Sequence, residues 1–121
     1  MFISSKQNSK VKEWRSLRRP EEARRLGKVL FEGAHPVLQA LDHQGIVETV
    51  IICPELAKPE TALLISKRMA EGGRVDSGGG GVGVEVSREV FDSITDRDGP
   101  SGIAAIARLR IDGLNDVAPT A

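Results

Sequence analysis

Aromatic residues are nearly missing from this chain: one Trp, three Phe and no Tyr make up 3% of its 121 residues. A base-stacking platform needs exposed rings, so any contact with nucleic acid would rest on phosphates and shape instead. Cys53 is the only cysteine, which excludes an internal disulfide and fits a reducing compartment. It stands in the apolar run Val50-Ile51-Ile52-Cys53 with no obvious His partner, and reads as a small buried hydrophobe rather than a nucleophile. No stretch approaches the roughly 20 apolar residues of a membrane helix, and the first residues lack the apolar core of a signal peptide. The expected location is the cytoplasm, with no membrane partner.

Histidine is as scarce. His35 and His43 lack a Cys or carboxylate cluster at ligand spacing, which argues against a metal site and against a Ser/His/Asp arrangement. Gly78, Gly80 and Gly83 satisfy GxGxxG, but they lead into the strand-like VGVEVS rather than opening a helix. The dinucleotide reading needs a strand before the glycines and a helix after them, so this segment is expected to be a surface loop.

What the chain does have is a polarised charge. Residues 1–33 hold nine basic and four acidic residues, a balance of +5, whereas the remainder holds eight and thirteen, a balance of −5. The formal net charge of zero hides this separation. A basic face on an acidic body points to a polyanionic partner, with RNA or DNA the first candidate. Glu13, Glu21 and Glu22 partly neutralise the stripe, so an ordinary solvated face is the competing reading.

Periodicity places that charge on helices. Asn8 or Ser9 caps a helix running to about Arg18, with Val11, Trp14 and Leu17 on its apolar side. Asn8, Lys12, Arg15 and Arg19, at steps of four, three and four, share another face. Pro20 begins a second short helix with Glu21 and Glu22 at its start and Arg24 and Arg25 further on, and Gly27 ends it.

Strand–helix units follow. Lys28 to Phe31, Val47 to Cys53, Val82 to Val86 and Ile103 to Ile111 read as strands; about 35–42, 60–71 and 87–94 read as helices, the last capped by Ser87. The apolar residues of the 60–71 helix are Ala62, Leu63, Ile65, Met69 and Ala70. The alternation predicts an α/β fold, a mostly parallel or mixed sheet of about four strands with helices on both faces. With 40% hydrophobic and 28% charged residues, the chain suits one domain with a modest core. Asp96-Arg97-Asp98-Gly99-Pro100 is a charged turn. Residues 112–121 show no periodicity and read as a linker towards a further domain.

Ordered motifs give a resemblance. Ser5-Lys6-Gln7-Asn8-Ser9-Lys10-Val11-Lys12 matches an S-x-x-N-x-x-V-K pattern, with Leu17 following at its place. Arg24, Gly27, Glu32 and Gly33 match R-x-x-G-x-x-x-x-E-G, and Val37 and Ala40-Leu41 match the apolar helix after it. Pro100-Ser101-Gly102-Ile103 departs by one Ser from a P-Q-G-I turn, which leaves a role for that glutamine unsupported here. Over residues 3–111 the chain resembles the N-terminal substrate-binding domain of the SpoU/TrmH family of RNA 2′-O-methyltransferases.

The resemblance implies a three-layer α/β/α sandwich like the ribosomal proteins that bind kink-turn RNA, spanning residues 1–111 with residues 5–27 as its basic helical segment. It implies a parent enzyme that transfers a methyl group from S-adenosylmethionine to a ribose 2′-hydroxyl, in ribosomal RNA first of all. Cofactor binding and homodimer formation are expected in a catalytic domain absent from this chain, whose cofactor motifs do not occur in it. The chain alone would hold no cofactor and no catalytic residue. The RNA contacts implied are Lys6, Asn8, Lys10, Lys12, Arg15, Arg19, Arg24, Arg25, Lys28 and Arg97, while Glu32 and Gly33 read as structural. Two alternatives remain: a free-standing kink-turn-type RNA-binding protein without enzymatic activity, and an adaptor whose basic helix meets an acidic protein.

Overall fold

A computed structural model describes residues 2–42, 46–72, 82–95 and 101–108. Within them lie five strands and five helices: β1 (Phe2–Ile3), α1 (Ser9–Ser16), α2 (Pro20–Leu26), β2 (Lys28–Glu32), α3 (Ala34–Leu41), β3 (Val47–Ile52), α4 (Pro59–Gly72), β4 (Val82–Val86), α5 (Arg88–Ile94) and β5 (Ile103–Arg108). One mixed sheet runs in the order β1-β4-β3-β5-β2. β1, β4 and β3 are parallel neighbours, and β5 is antiparallel to both β3 and β2.

The sandwich has the expected three layers. One face of the sheet carries Ile51, Val84, Val86, Ala104 and Ile106 against Val11, Trp14 and Leu17 from the first helix and Val90, Phe91 and Ile94 from α5. The other carries Val47, Val50, Ile103 and Ala105 against Val37, Ala40 and Leu41 of α3 and Ile65 of α4. β5 is buried from Ile103 to Ala107, so alternate residues feed alternate cores.

The sheet has five strands rather than about four. The additional one, β1, is two residues long and pairs Phe2 with Glu85 and Ile3 with Val86. A segment that short carries no alternation to read. β3 hides a second irregularity. Val47 pairs with Ala107 but Thr49 pairs with Ile106, so one extra residue, Glu48, is inserted into the ladder. That bulge brings Val47 and Val50, three positions apart, onto the same core.

In α4 only part of the apolar set turns inward. Ile65 is buried, whereas Leu63 is 63% exposed, as is its neighbour Leu64 at 45%. Cys53 is buried, as its apolar run implies. The segment 112–121, most of the glycine loop, His43 and the turn bearing Arg97 lie outside the described residues.

Candidate nucleic-acid interface

The basic segment is positioned by two short helices and the turn between them. Asn8 caps α1, its Oδ1 accepting the Lys10 N–H at 2.8 Å, so this amide serves the helix end. α1 stops at Ser16 because the chain must become extended before Pro20, and Arg19 has φ −95° and ψ 126°. Gly27 closes α2 in the left-handed region at φ 70° and releases the chain into β2.

The turn opens a groove of about 440 Å³ lined by Lys12, Arg15, Ser16, Arg18 and Arg19. Among the described residues no carboxylate lines it. Arg15 donates from Nη1 to the carbonyl of Lys6 at 3.3 Å, and Arg18 from Nη1 to the carbonyl of Ser93 at 3.4 Å. The second of these ties the α1–α2 turn to the last turn of α5.

The nearby acids are directed elsewhere. Glu22 pairs with Arg25 at 2.6 Å. Glu13 accepts from Lys28 Nζ at 2.8 Å, and Glu48 accepts from the same ammonium at 3.1 Å. Glu32 accepts the Ser101 N–H at 3.1 Å. Hydrogen bonding and charge from Glu13, then Glu48, raise the Lys28 pKa against the opposing cost of burial. Its hydrogen bond from Arg25 lowers the Glu22 pKa, and Glu22 in turn raises that of Arg25.

The sequence-derived contacts therefore divide. Lys12, Arg15 and Arg19 meet in one groove. Lys10 and Arg24 are exposed and form no ion pair among the described residues. Lys6 lies 3.7 Å from Glu89, Arg25 is paired with Glu22, and Lys28 is committed to Glu13 and Glu48 with its side chain only 22% exposed. Arg97 falls outside the described residues.

Arg18 joins the groove although helical spacing did not select it. Arg18 stands three residues after Arg15, so a step of three was the available signal, where the step of four leads to Arg19 instead. Among the described residues no group of three His, Cys, Asp or Glu could hold a metal, and no helix is long and apolar enough to cross a membrane.

A three-layer α/β sandwich thus carries an open groove lined, among the described residues, by four cations and a serine, a surface suited to a polyanion. Residues 8–105 match the family model of the MRM3-like substrate binding domain, and the chain belongs to that family. It is 28% identical over 110 residues to the 23S rRNA (guanosine(2553)-2′-O)-methyltransferase RlmP of Bacillus subtilis, spanning 88% of this chain and 37% of that one. Among solved structures it is similar to an AdoMet-bound rRNA methyltransferase from Sinorhizobium meliloti, with TM-score 0.67 and 23% identity over 91% of this chain and 37% of that one. An RNA 2′-O ribose methyltransferase gives TM-score 0.66 and 26% identity over 90% and 38%. The resemblance to the SpoU/TrmH enzymes thus holds for fold and family, and the chain spans little more than a third of the relatives it matches.

Proposed function

We propose that this chain is the RNA-recognition domain of an S-adenosylmethionine-dependent ribosomal RNA ribose 2′-O-methyltransferase. It binds structured RNA and positions it for a catalytic domain that lies outside these 121 residues and forms the homodimer. The cationic groove lined by Lys12, Arg15, Ser16, Arg18 and Arg19, on a domain of this family, carries the reading. Lys10 and Arg24 extend the contact along α1 and α2. Lys6 and Arg25 add to the positive field while paired, Lys28 is offset by Glu13 and Glu48, and Asn8 fixes the start of α1.

The groove does not suit the methyl donor. A sulfonium is a cation and would be repelled by the four basic side chains that line it among the described residues. Ribose methylation also requires a base to take the 2′-hydroxyl proton as the methyl group is attacked in line, and among the described residues the lining of this groove supplies cations and one hydroxyl. The part of this chain is affinity and register: phosphates are held so that one ribose sits at a fixed distance and angle from the chemistry.

Two measurements test this. The Lys12→Ala/Arg15→Ala double variant is expected to weaken binding of ribosomal RNA fragments with its circular dichroism unchanged. Its log–log salt dependence should flatten by roughly 0.7 to 0.9 for each phosphate that is no longer neutralised. Ribose-methylation maps of ribosomal RNA from cells with and without the complete gene should differ at a discrete nucleotide. Identical maps would overturn the methyltransferase reading and leave a non-enzymatic RNA binder.

A further inference from the structure

We infer that the cleft between α1 and the sheet takes one unpaired guanine of the bound RNA, with the Glu13 and Glu48 carboxylates accepting from the edge of the base. This deepens the proposed function and rests on it.

The cleft has a volume of about 370 Å³, near the small end of the roughly 300 to 1,000 Å³ usual for small-ligand sites. Lys10, Glu13 and Trp14 line it from α1, where steps of three and four bring them to one side of the helix. Lys28 of β2, Glu48 and Thr49 of β3 and Val84 of β4 line it from the sheet. A regular strand would send Glu48 and Thr49 to opposite faces. The bulge at Glu48 brings both to this one.

The lining has an apolar part and a fixed polar part. Trp14 and Val84 are buried members of one core cluster. The Lys28 ammonium stands 2.8 Å from Glu13 Oε2 and 3.1 Å from Glu48 Oε2, which holds both carboxylates in place. A carboxylate has about four acceptor sites, and the ammonium takes one on each. An extruded base needs such a place, apolar for its flat body and polar for its edge. The two carboxylates disfavour a phosphate at this point.

The acceptors select the base. Guanine alone among the four has two adjacent donors, N1–H and the 2-amino group, which a carboxylate accepts as a parallel pair. Its O6 lies beside them and suits the ammonium of Lys10, an exposed side chain in the first turn of α1. Adenine, cytosine and uracil each offer one donor group on that edge. Phosphate contacts position an RNA without reading it, so the cleft supplies the base that sets its register.

Fluorescence anisotropy of the 121-residue chain would use labelled hairpin RNAs that differ in one bulged nucleotide, with a fully paired hairpin as control. The bulged guanosine should bind about tenfold more tightly than bulged adenosine, cytidine or uridine. Bulged inosine, which lacks the 2-amino group, should fall to the level of those three. The sole tryptophan gives a second readout: Trp14 emission should change with the guanosine bulge and not with the paired hairpin. Glu13→Gln/Glu48→Gln removes both carboxylates at nearly constant size, and should reduce the preference for guanosine to within about twofold. The ratio is read because losing two negative charges strengthens binding of any RNA. Lys10→Met should lower the preference about threefold, and it serves alone if urea melts show that the double variant is unfolded.

Four bulges bound within about twofold of one another, or inosine bound as tightly as guanosine, overturn the guanine cleft and leave RNA recognition standing. A guanosine preference that survives these variants, or that leaves Trp14 emission unchanged, belongs to another part of the chain and overturns it too. If no hairpin binds even in about 50 mM salt, the RNA-recognition function itself falls.

Discussion

The Glu32 carboxylate accepts the backbone N–H of Ser101 at 3.1 Å, across 69 residues of sequence. The same corner has Gly33 N–H on the Ile103 carbonyl at 2.9 Å and Cys53 N–H on the Gly102 carbonyl at 2.8 Å. The Glu-Gly and Ser-Gly-Ile motif pieces, remote in sequence, thus lock the end of β2 to the start of β5. A hydrogen bond to an ionised acceptor is worth about 1.5 to 3 kcal/mol. Glu32→Ala should lower unfolding free energy by about that much, and Glu32→Gln, which keeps a neutral acceptor, by less. Urea denaturation checks both, and a Glu32→Ala midpoint equal to wild type would dismiss the lock.

Gly102 is the tightest point of that corner. Its φ is +83°, and an added Cβ would stand 2.5 Å from the Ala57 nitrogen and 2.9 Å from the Leu56 carbonyl carbon, both backbone atoms that cannot swing aside. Strain and overlap together should cost Gly102→Ala about 3 kcal/mol or more. Gly27, at φ 70°, should lose about 1 to 2 kcal/mol on the same change from backbone strain. Thermal melts of the two variants test the order, and equal losses would count against it.

Elements with internal periodicity or an end signal were legible in the sequence. Ser87 caps α5 by accepting the Val90 N–H, Gly27 stops α2, and β4 spans Val82–Val86 as read. Those that depend on distant partners were not. β1 exists because β4 accepts it, and the Glu48 bulge exists because β3 must match β5. Charge sorting failed for the same reason. Lys28 looks like one more cation of a basic segment until folding brings Glu13 and Glu48 to it from 15 and 20 residues away. The groove itself was largely visible: Lys12, Arg15 and Arg19 follow from helical spacing, and Arg18, three residues after Arg15, lay within the same spacing.

Cys53 should be chemically silent in the folded protein. It is fully buried, and burial pushes the thiol pKa up, so both access and thiolate fraction are low. Ellman's reagent is expected to react at the rate at which the chain opens, and to accelerate steeply across the urea transition. Rapid labelling without denaturant would show that the Cys53–Ala57 turn opens independently of the rest.

Lys28 gives the pH signature. Glu13 above all, then Glu48, hold its ammonium more strongly in the folded chain, with burial opposing, so its folded pKa is raised. Such a group adds stability that is fully present below the unfolded lysine value of about 10.4 and is lost as pH rises through the higher folded value. The stability gap between wild type and Lys28→Met should therefore hold steady from about pH 7 to 9 and narrow above about 10.5. The absence of tyrosine removes one competing alkaline titration. Since its charge is spent on two carboxylates, Lys28→Met should also change hairpin RNA affinity by less than about twofold, far less than Lys12→Ala. A gap that does not narrow with pH would show that the ion-pair cluster contributes nothing beyond packing, and a large drop in affinity would return Lys28 to the RNA-contacting face.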